Sequence, residues 1–206
     1  MLFGKHLTMM EYLESIDRWL VLVINGWNTP ALDKFFWLIS GKLIWIPIYL
    51  FVIFKAQQVI GWKFTLAFLG TTIFAVVISD QVCTHLFKEV FLRYRPSHNE
   101  LIQDKLHYYE IKPGEWYRGG QYGFISSHAA NFGAMAIMIY NLFVRSRYFL
   151  KWLLPLIVGL VALSRVYLGV HYVSDVLVGA FVGGLIAQIL FHFVFKRITQ
   201  QTPQRL

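Results

Sequence analysis

The sequence has few charged residues and almost no cysteine. Only 15% of its 206 residues are Asp, Glu, Lys or Arg, whereas soluble domains carry about 25%. Cys83 is the single cysteine, which excludes an intrachain disulfide. No long polar linker, internal repeat or low-complexity tract interrupts the chain, so residues 1–206 are predicted to form one domain. The N-terminal residues also lack the pattern of a cleavable signal peptide.

Apolar residues make up 57% of the chain, and the mean hydropathy is +0.52. Several apolar runs reach the roughly 20 residues that a helix needs to cross a bilayer. We therefore predict an all-α integral membrane protein, a bundle of five to six transmembrane helices that includes an N-terminal amphipathic helix. The net charge of +8 fits basic loops beside anionic lipid headgroups. Without zinc-ligand cysteines or a soluble basic module, we expect no nucleic-acid partner.

Five spans are predicted, at residues 33–55, 62–86, 127–144, 149–168 and 172–195. The first contains Lys42 and Pro47, so we expect a kink, or a lysine that extends to the membrane surface. Residues 9–27 carry charges in their first half, which favours a helix lying in the interface over a full span. Three small residues of the last span favour close helix contact, namely Gly179, Gly183 and Gly184.

Residues 88–126 form the one long polar segment, and its aromatic residues suit the headgroup level. If the spans alternate in direction, one membrane face holds Lys88, Arg95, His128, Arg165, His171 and Asp175. The opposite face holds the basic residues Lys55, Lys63, Arg145, Arg147, Lys151, Lys196, Arg197 and Arg205. Short basic loops mark the cytoplasm. The sequence thus predicts that segment 88–126 is an extracytoplasmic active-site loop.

His171 and Asp175 are four residues apart at the start of a predicted helix and therefore lie side by side. A carboxylate bonded to one ring nitrogen fixes the tautomer and leaves the other nitrogen free to attack. The pair alone also fits a helix-capping pair or two metal ligands. Asp80, within the second span, is either a supporting partner of the site or a helix-packing residue.

Three cations on the same face, Lys88, Arg95 and Arg165, can together bind the oxygens of one phosphoryl group. They can also stabilise the charge of the transition state. His128 follows two serines at a helix start, where hydroxyls and free amides form an anion site. A histidine there can protonate a departing oxygen. Each of these residues taken alone is more often a surface charge or a polar helix-start residue.

The three segments resemble the motifs of the type 2 phosphatidic acid phosphatase superfamily, KxxxxxxRP, PSGH and SRxxxxxHxxxD. The first motif is matched by Lys88, Arg95 and Pro96, and the third by Ser164, Arg165, His171 and Asp175. The middle motif departs from the pattern, because the chain reads Ile125-Ser126-Ser127-His128. Serine at the glycine position still offers its amide, so the departure affects the geometry of the anion site rather than its presence.

The resemblance implies an integral membrane lipid phosphatase that needs no metal and no other cofactor. His171 would be the nucleophile that forms a phosphohistidine, Asp175 would orient it, and His128 would be the acid for the leaving group. The phosphoryl oxygens would be held by Lys88, Arg95, Ser126, Ser127 and Arg165. The small bacterial members that this chain resembles imply the cytoplasmic (inner) membrane as its location, with the active site facing the periplasm.

Among lipid phosphates, the resemblance favours undecaprenyl pyrophosphate as the substrate. Phosphatidylglycerol phosphate, phosphatidic acid and lipid A phosphates are the alternatives. Three other functional classes make different predictions. A lipid phosphotransferase requires an acceptor hydroxyl, a transporter or channel tolerates loss of His171, and a metal-dependent hydrolase built on His128, His171 and Asp175 loses activity in chelator.

Overall fold

The computed structural model describes residues 8–143 and 149–200. Its N-terminal helix α1 (Met9–Asn25) begins at a capping box. Glu11 accepts a hydrogen bond from the backbone N of Thr8 at 2.8 Å and returns one from its own backbone N to the threonine hydroxyl at 3.3 Å. Helix α2 (Pro30–Ser40) follows after Thr29, whose hydroxyl accepts from the backbone N of Leu32 at 3.2 Å.

Helix α1 is joined to the centre of the molecule through one face. Asp17, Val21 and Asn25 lie on that face at four-residue intervals and are buried. The Asn25 side chain donates to the carbonyls of His107, at 2.8 Å, and Tyr167, at 2.7 Å, and accepts from the backbone N of His107 at 2.7 Å. The helix is therefore an integral part of the fold. That it lies in the membrane interface stays a prediction.

The predicted span at residues 33–55 is not one continuous helix, and the break near Lys42 agrees with the kink expected there. Helix α2 ends at Ser40, and a short 3₁₀ turn (Leu43–Trp45) precedes helix α3 (Ile46–Gln81). The backbone of Gly41 is extended, and Pro47 lies in the first turn of α3, where its missing N–H leaves no hydrogen bond unmade. Helix α3 kinks at Gly61, whose φ of 71° favours glycine.

The polar segment begins later than its predicted start at residue 88. The chain continues from α3 through a π-helical stretch (Val82–Lys88) into the short helix α4 (Glu89–Phe91). The segment then forms two 3₁₀ turns, Pro96–His98 and Gln103–Lys105, and an antiparallel hairpin of β1 (Glu110–Lys112) and β2 (Glu115–Trp116). The all-α prediction therefore misses a small two-stranded sheet.

The C-terminal half consists of α5 (Ser127–Phe143), α6 (Leu150–Tyr167) and α7 (Val173–Leu190), followed by a π-helical stretch (Phe191–Phe195) and α8 (Lys196–Gln200). Helices α5 and α7 form the closest pair. A Cβ atom on Gly183 would lie 1.9 Å from the carbonyl oxygen of Ala130, and one on Gly179 would lie 2.6 Å from that of Ser126. These glycines therefore allow direct backbone contact.

Three of the described helical stretches are long and apolar enough to cross a membrane: Leu43–Phe91, Leu150–Tyr167 and Val173–Gln200. Helix α5 has 17 residues and ends where the described residues are interrupted. A total of five to six membrane helices therefore stays a prediction. Arg145, Arg147 and Arg205, assigned above to the cytoplasmic face, lie outside the described residues.

Candidate active site

A cavity of about 620 Å³ opens between α3, the start of α5, the end of α6 and the polar segment. Six of the eight predicted site residues line it: Lys88, Arg95, Ser127, His128, Arg165 and His171. Asp80 lines it as well, which favours the first of the two roles proposed for it above. The two predicted residues outside the lining are Asp175, which lies directly behind His171, and Ser126.

His171 lies in the turn between α6 and α7 and is 2% exposed. Its Nε2 atom is 3.1 Å from Nη1 of Arg95, and its Nδ1 atom is 3.4 Å from Oδ2 of Asp175. The Nδ1 contact is close but lacks hydrogen-bond geometry. Burial, and then the nearby Arg95 and Arg165, hold the pKa of His171 well below its usual 6.5. The imidazole is therefore neutral near pH 7, and a lone pair can point towards the cations.

Asp175 is fully buried and is held from two sides. Its Oδ1 accepts from Nη1 of Arg93 at 2.8 Å, and its Oδ2 accepts from the backbone N of Tyr172 at 3.0 Å. The second amino group of Arg93 donates to Asp17 of α1 at 2.9 Å. The bridge was not predicted, since neither Asp17 nor Arg93 belongs to the three motifs. The sequence does contain one sign of it: Asp17 is a carboxylate on the same face of α1 as the apolar Val21, so it needs a partner when that face is buried.

Replacing Arg93 with leucine is expected to lower the free energy of unfolding by about 3 kcal/mol, because Asp17 and Asp175 would stay buried without their cation. Denaturant unfolding in detergent measures the change. The matched control is Arg18→Leu, since Arg18 is as exposed as Arg93 but pairs at 3.3 Å with the exposed Glu14, and pairs with an exposed carboxylate contribute at most about 1 kcal/mol. Equal losses in the two variants would contradict a structural role for the bridge.

Arg95 is fixed by backbone carbonyls. Its Nε donates to Tyr122 at 3.1 Å and its Nη1 to Val170 at 3.2 Å. The backbone at Gly119 and Gly123 passes close to the Arg95 side chain. A Cβ atom on Gly119 would lie 3.0 Å from it, and one on Gly123 would lie 2.9 Å from it. Burial, and then the Arg165 charge, lower the pKa of Arg95 from its usual range, yet arginine stays protonated at neutral pH.

Arg165 is buried near the end of α6, where it donates to the hydroxyls of Ser40 and, at 2.8 Å, Tyr117. Lys88 donates to Ser127 at 2.7 Å. In the described part of the chain, Lys88, Arg95 and Arg165 have no carboxylate within ion-pairing distance. Converging cations without carboxylate partners form an electrostatic site for an anion.

Ser126 does not face the cavity, in contrast to the predicted phosphate contact. It is fully buried, its hydroxyl accepts from the backbone N of Ala129 at 3.4 Å, and its backbone N donates to the carbonyl of Asp175 at 3.0 Å. The preceding Ile125 is also fully buried, in a cluster with Cys83 and Ala130. These residues hold the start of α5 in place, and Ser127 and His128 then enter the cavity lining.

Several lining residues were not predicted as site residues, namely Lys42, Tyr49, Thr84, Tyr117 and Asn131. Lys42 and Tyr49 lie after the break in the predicted first span, so their approach to the site depends on a turn that hydropathy does not reveal. Within residues 8–143 and 149–200, no group of three or more His, Cys, Asp or Glu side chains has a metal-binding arrangement.

The chain is similar to a known protein family and to several known proteins. Residues 64–199 match the model of the PAP2 superfamily. A protein named lipid A 4'-phosphatase from Porphyromonas gingivalis is 37% identical over 91% of this chain and 75% of its own length. A protein of the same name from Bacteroides thetaiotaomicron is 34% identical, over 93% of this chain and 82% of its own.

Two crystal structures share the fold. The transmembrane PAP2-type phosphatidylglycerolphosphate phosphatase from Bacillus subtilis has a TM-score of 0.65 and 21% identity, covering 94% of this chain and 90% of its own. Aquifex aeolicus LpxE has a TM-score of 0.59 and 20% identity, covering 84% of this chain and 93% of its own. The match to the family model and the two named relatives confirm the superfamily and the enzyme class predicted from the three motifs. The chain belongs to the PAP2 superfamily and is an integral membrane lipid phosphatase.

Proposed function

We propose that the protein hydrolyses a phosphate ester on the sugar of a lipid of the lipid A type. The observation that carries this choice is the pair of relatives named lipid A 4'-phosphatase, which are 37% and 34% identical over most of this chain. The sequence motifs alone favoured undecaprenyl pyrophosphate, with lipid A phosphates among the alternatives. The relatives favour the alternative, so we adopt it as the substrate class.

In the proposed first step, Nε2 of His171 attacks phosphorus and the bond from phosphorus to the sugar oxygen breaks. Asp175 holds the ring so that Nε2 faces the cations, as the 3.4 Å contact at Nδ1 supports. His128 donates a proton to the departing oxygen, which leaves as a sugar hydroxyl. The step yields a phosphohistidine.

In the second step, a water molecule attacks the phosphohistidine and gives its proton to His128, which releases inorganic phosphate and restores both histidines. Lys88, Arg95, Arg165 and Ser127 hold the phosphoryl oxygens throughout. Ser126 acts indirectly in this proposal, because its buried hydroxyl caps α5. The protein cations supply the positive charge that metal ions supply in other phosphoryl-transfer enzymes.

A second cavity, of about 400 Å³, supports binding of a lipid. It adjoins the 620 Å³ cavity described above, called here the phosphate-binding cavity, and shares Lys42, Tyr117, His128 and Arg165 with it. The rest of its lining is largely apolar: Trp37, Leu38, Leu43 and Ile44. We propose that acyl chains of the substrate occupy this region, because it adjoins the histidine that protonates the leaving group.

The proposed orientation places the active site at the periplasmic face of a bacterial inner membrane. Helix α7 runs from the site towards Lys196 and Arg197, and helix α6 runs from Lys151 back to the site. Basic residues thus lie at the ends of both helices that are remote from the cavity. This distribution follows the preference of lysine and arginine for the cytoplasmic side.

The substrate proposal is tested by phosphate release in detergent from lipid A 1,4'-bisphosphate, undecaprenyl pyrophosphate, phosphatidylglycerol phosphate and phosphatidic acid. We expect the highest kcat/KM for lipid A, with loss of one phosphate from the 4' position by mass spectrometry. A higher kcat/KM for undecaprenyl pyrophosphate would overturn the choice of lipid. Transfer of the phosphate to an added acceptor instead of water would identify a phosphotransferase.

Activity on the preferred lipid is expected to be unchanged in excess EDTA, because three side-chain cations supply the charge at phosphorus. The measurement is kcat/KM after dialysis against chelator, with and without added Mg²⁺ or Zn²⁺. A loss of activity that returns with one of these ions would support the metal-dependent hydrolase instead.

A further inference from the structure

The deeper wall of the phosphate-binding cavity carries polar groups that phosphate binding does not use. Asp80 of α3 and Asn131 of α5 both line the cavity. Asp80 precedes Lys88 by eight residues in one continuous helical stretch, and Asn131 follows Ser127 by four residues, about 6 Å at 1.5 Å per residue of α-helix. Both therefore lie at least one helical turn from Lys88 and Ser127.

The side-chain oxygen of Asn131 is buried and has no hydrogen-bond partner in the described part of the protein. Asp80 is half-buried and likewise makes no hydrogen bond with any residue that the structure describes. A buried acceptor such as the Asn131 oxygen is rarely left unpaired, since it costs the desolvation of its polar atom. A ligand with hydrogen-bond donors would satisfy both.

These acceptors do not suit the phosphate itself, because carboxylate and carbonyl oxygens repel phosphoryl oxygens. They suit the group attached to it. Asn131 lies three residues after His128 and therefore one turn away on the same face of α5. Because His128 protonates the leaving oxygen in the proposed mechanism, Asn131 is within reach of atoms next to that oxygen.

We propose that Asn131 and Asp80 form a subsite that accepts hydrogen bonds from the hydroxyl or amide N–H groups of the substrate's sugar. This inference rests on the proposed function and makes it more specific. A phosphorylated, acylated glucosamine carries such donors beside its phosphate, whereas the isoprenoid chain of a prenyl pyrophosphate carries none. The subsite thus selects a sugar phosphate over prenyl pyrophosphate and phosphatidic acid, because the two acceptors stay unpaired when a donor is missing.

The test compares Asn131→Leu and Asp80→Leu with the parent enzyme, using lipid A 1,4'-bisphosphate as substrate and orthovanadate as an inhibitor that occupies only the phosphate position. We expect each variant to lower kcat/KM for lipid A by roughly 10- to 100-fold. The Ki of vanadate should change by less than about 3-fold, since one lost sugar contact leaves the three cations in place.

Asn141→Leu is the matched control, because Asn141 lies on the same helix but donates to Gln188 at 2.7 Å, away from the cavity. It should leave kcat/KM for lipid A within about 3-fold of the parent. The subsite is refuted if Asn131→Leu lowers kcat/KM no more than Asn141→Leu does, or if the Ki of vanadate rises in parallel. A parent enzyme that is inactive on lipid A but active on another lipid phosphate would instead refute the proposed function.

Discussion

Replacing His171 with alanine is expected to lower kcat/KM for the preferred lipid phosphate by roughly 10⁴-fold or more, because removal of a covalent nucleophile leaves only binding and charge stabilisation. The structure supports so large an effect. His171 is buried, its Nε2 lies 3.1 Å from the Arg95 guanidinium, and its pKa is held well below 6.5. A transporter or channel that uses the same cations as an anion site would keep its activity in this variant.

The control for this loss is His85→Ala. His85 is exposed, pairs with Glu89 at 2.9 Å and does not line the cavity, so its replacement should change kcat/KM by less than about 2-fold. Both variants are to be compared at equal amounts of folded protein by size-exclusion chromatography in detergent. Activity of His171→Ala within 10-fold of the parent would exclude His171 as the nucleophile.

Replacing Arg95 with lysine is expected to lower kcat/KM by roughly 10²- to 10³-fold, although the charge is retained. The guanidinium donates to the carbonyls of Tyr122 and Val170 and also contacts Nε2 of His171. A lysine ammonium has neither the planar fork nor the length to make these contacts together. The loss should fall mainly on kcat, since the cation stabilises charge that increases in the transition state.

Arg118→Lys is the matched control for Arg95→Lys. Arg118 belongs to the same polar segment, but its guanidinium lies over the Tyr108 ring, 4.7 Å from the ring centroid, and outside the cavity lining. Its replacement should change kcat/KM by less than about 3-fold. A rise in KM with an unchanged kcat in Arg95→Lys would show that Arg95 binds the ground state and the transition state equally.

The motifs predicted the chemistry better than the hydropathy pattern predicted the helices. The family resemblance carried by KxxxxxxRP and SRxxxxxHxxxD implied which residues meet, and Lys88, Arg95, Arg165 and His171 all line one cavity. Hydropathy did not reveal the break after Ser40, because apolar runs at residues 35–39 and 43–46 flank the short segment 40–42. That break matters for function, since Ser40 contacts Arg165 and Lys42 reaches the cavity.

Contacts between segments distant in sequence were beyond prediction from spacing. The Arg93 bridge joins α1 to α7 across 76 and 82 residues of the chain, and the spacing within the motifs carries no information about such pairings. For Ser126, a motif position predicted a contact that the packing of the helices prevents. Its position in the middle motif predicted a phosphate contact, yet the packing of Gly179 against its carbonyl buries it. The sequence likewise could not show that the side-chain oxygen of Asn131 lacks a partner, because this depends on how α3 and α5 pack together.

The most direct test of the proposed mechanism is rapid-quench trapping of the phosphoenzyme. Lipid A carrying ³²P at the 4' position is mixed with the protein in chelator and quenched in alkali, in which phosphohistidine is stable. We predict label on the peptide that contains His171, and none in His171→Ala. Label on a different residue, or release of phosphate by His171→Ala at the parental rate, would contradict catalysis through His171.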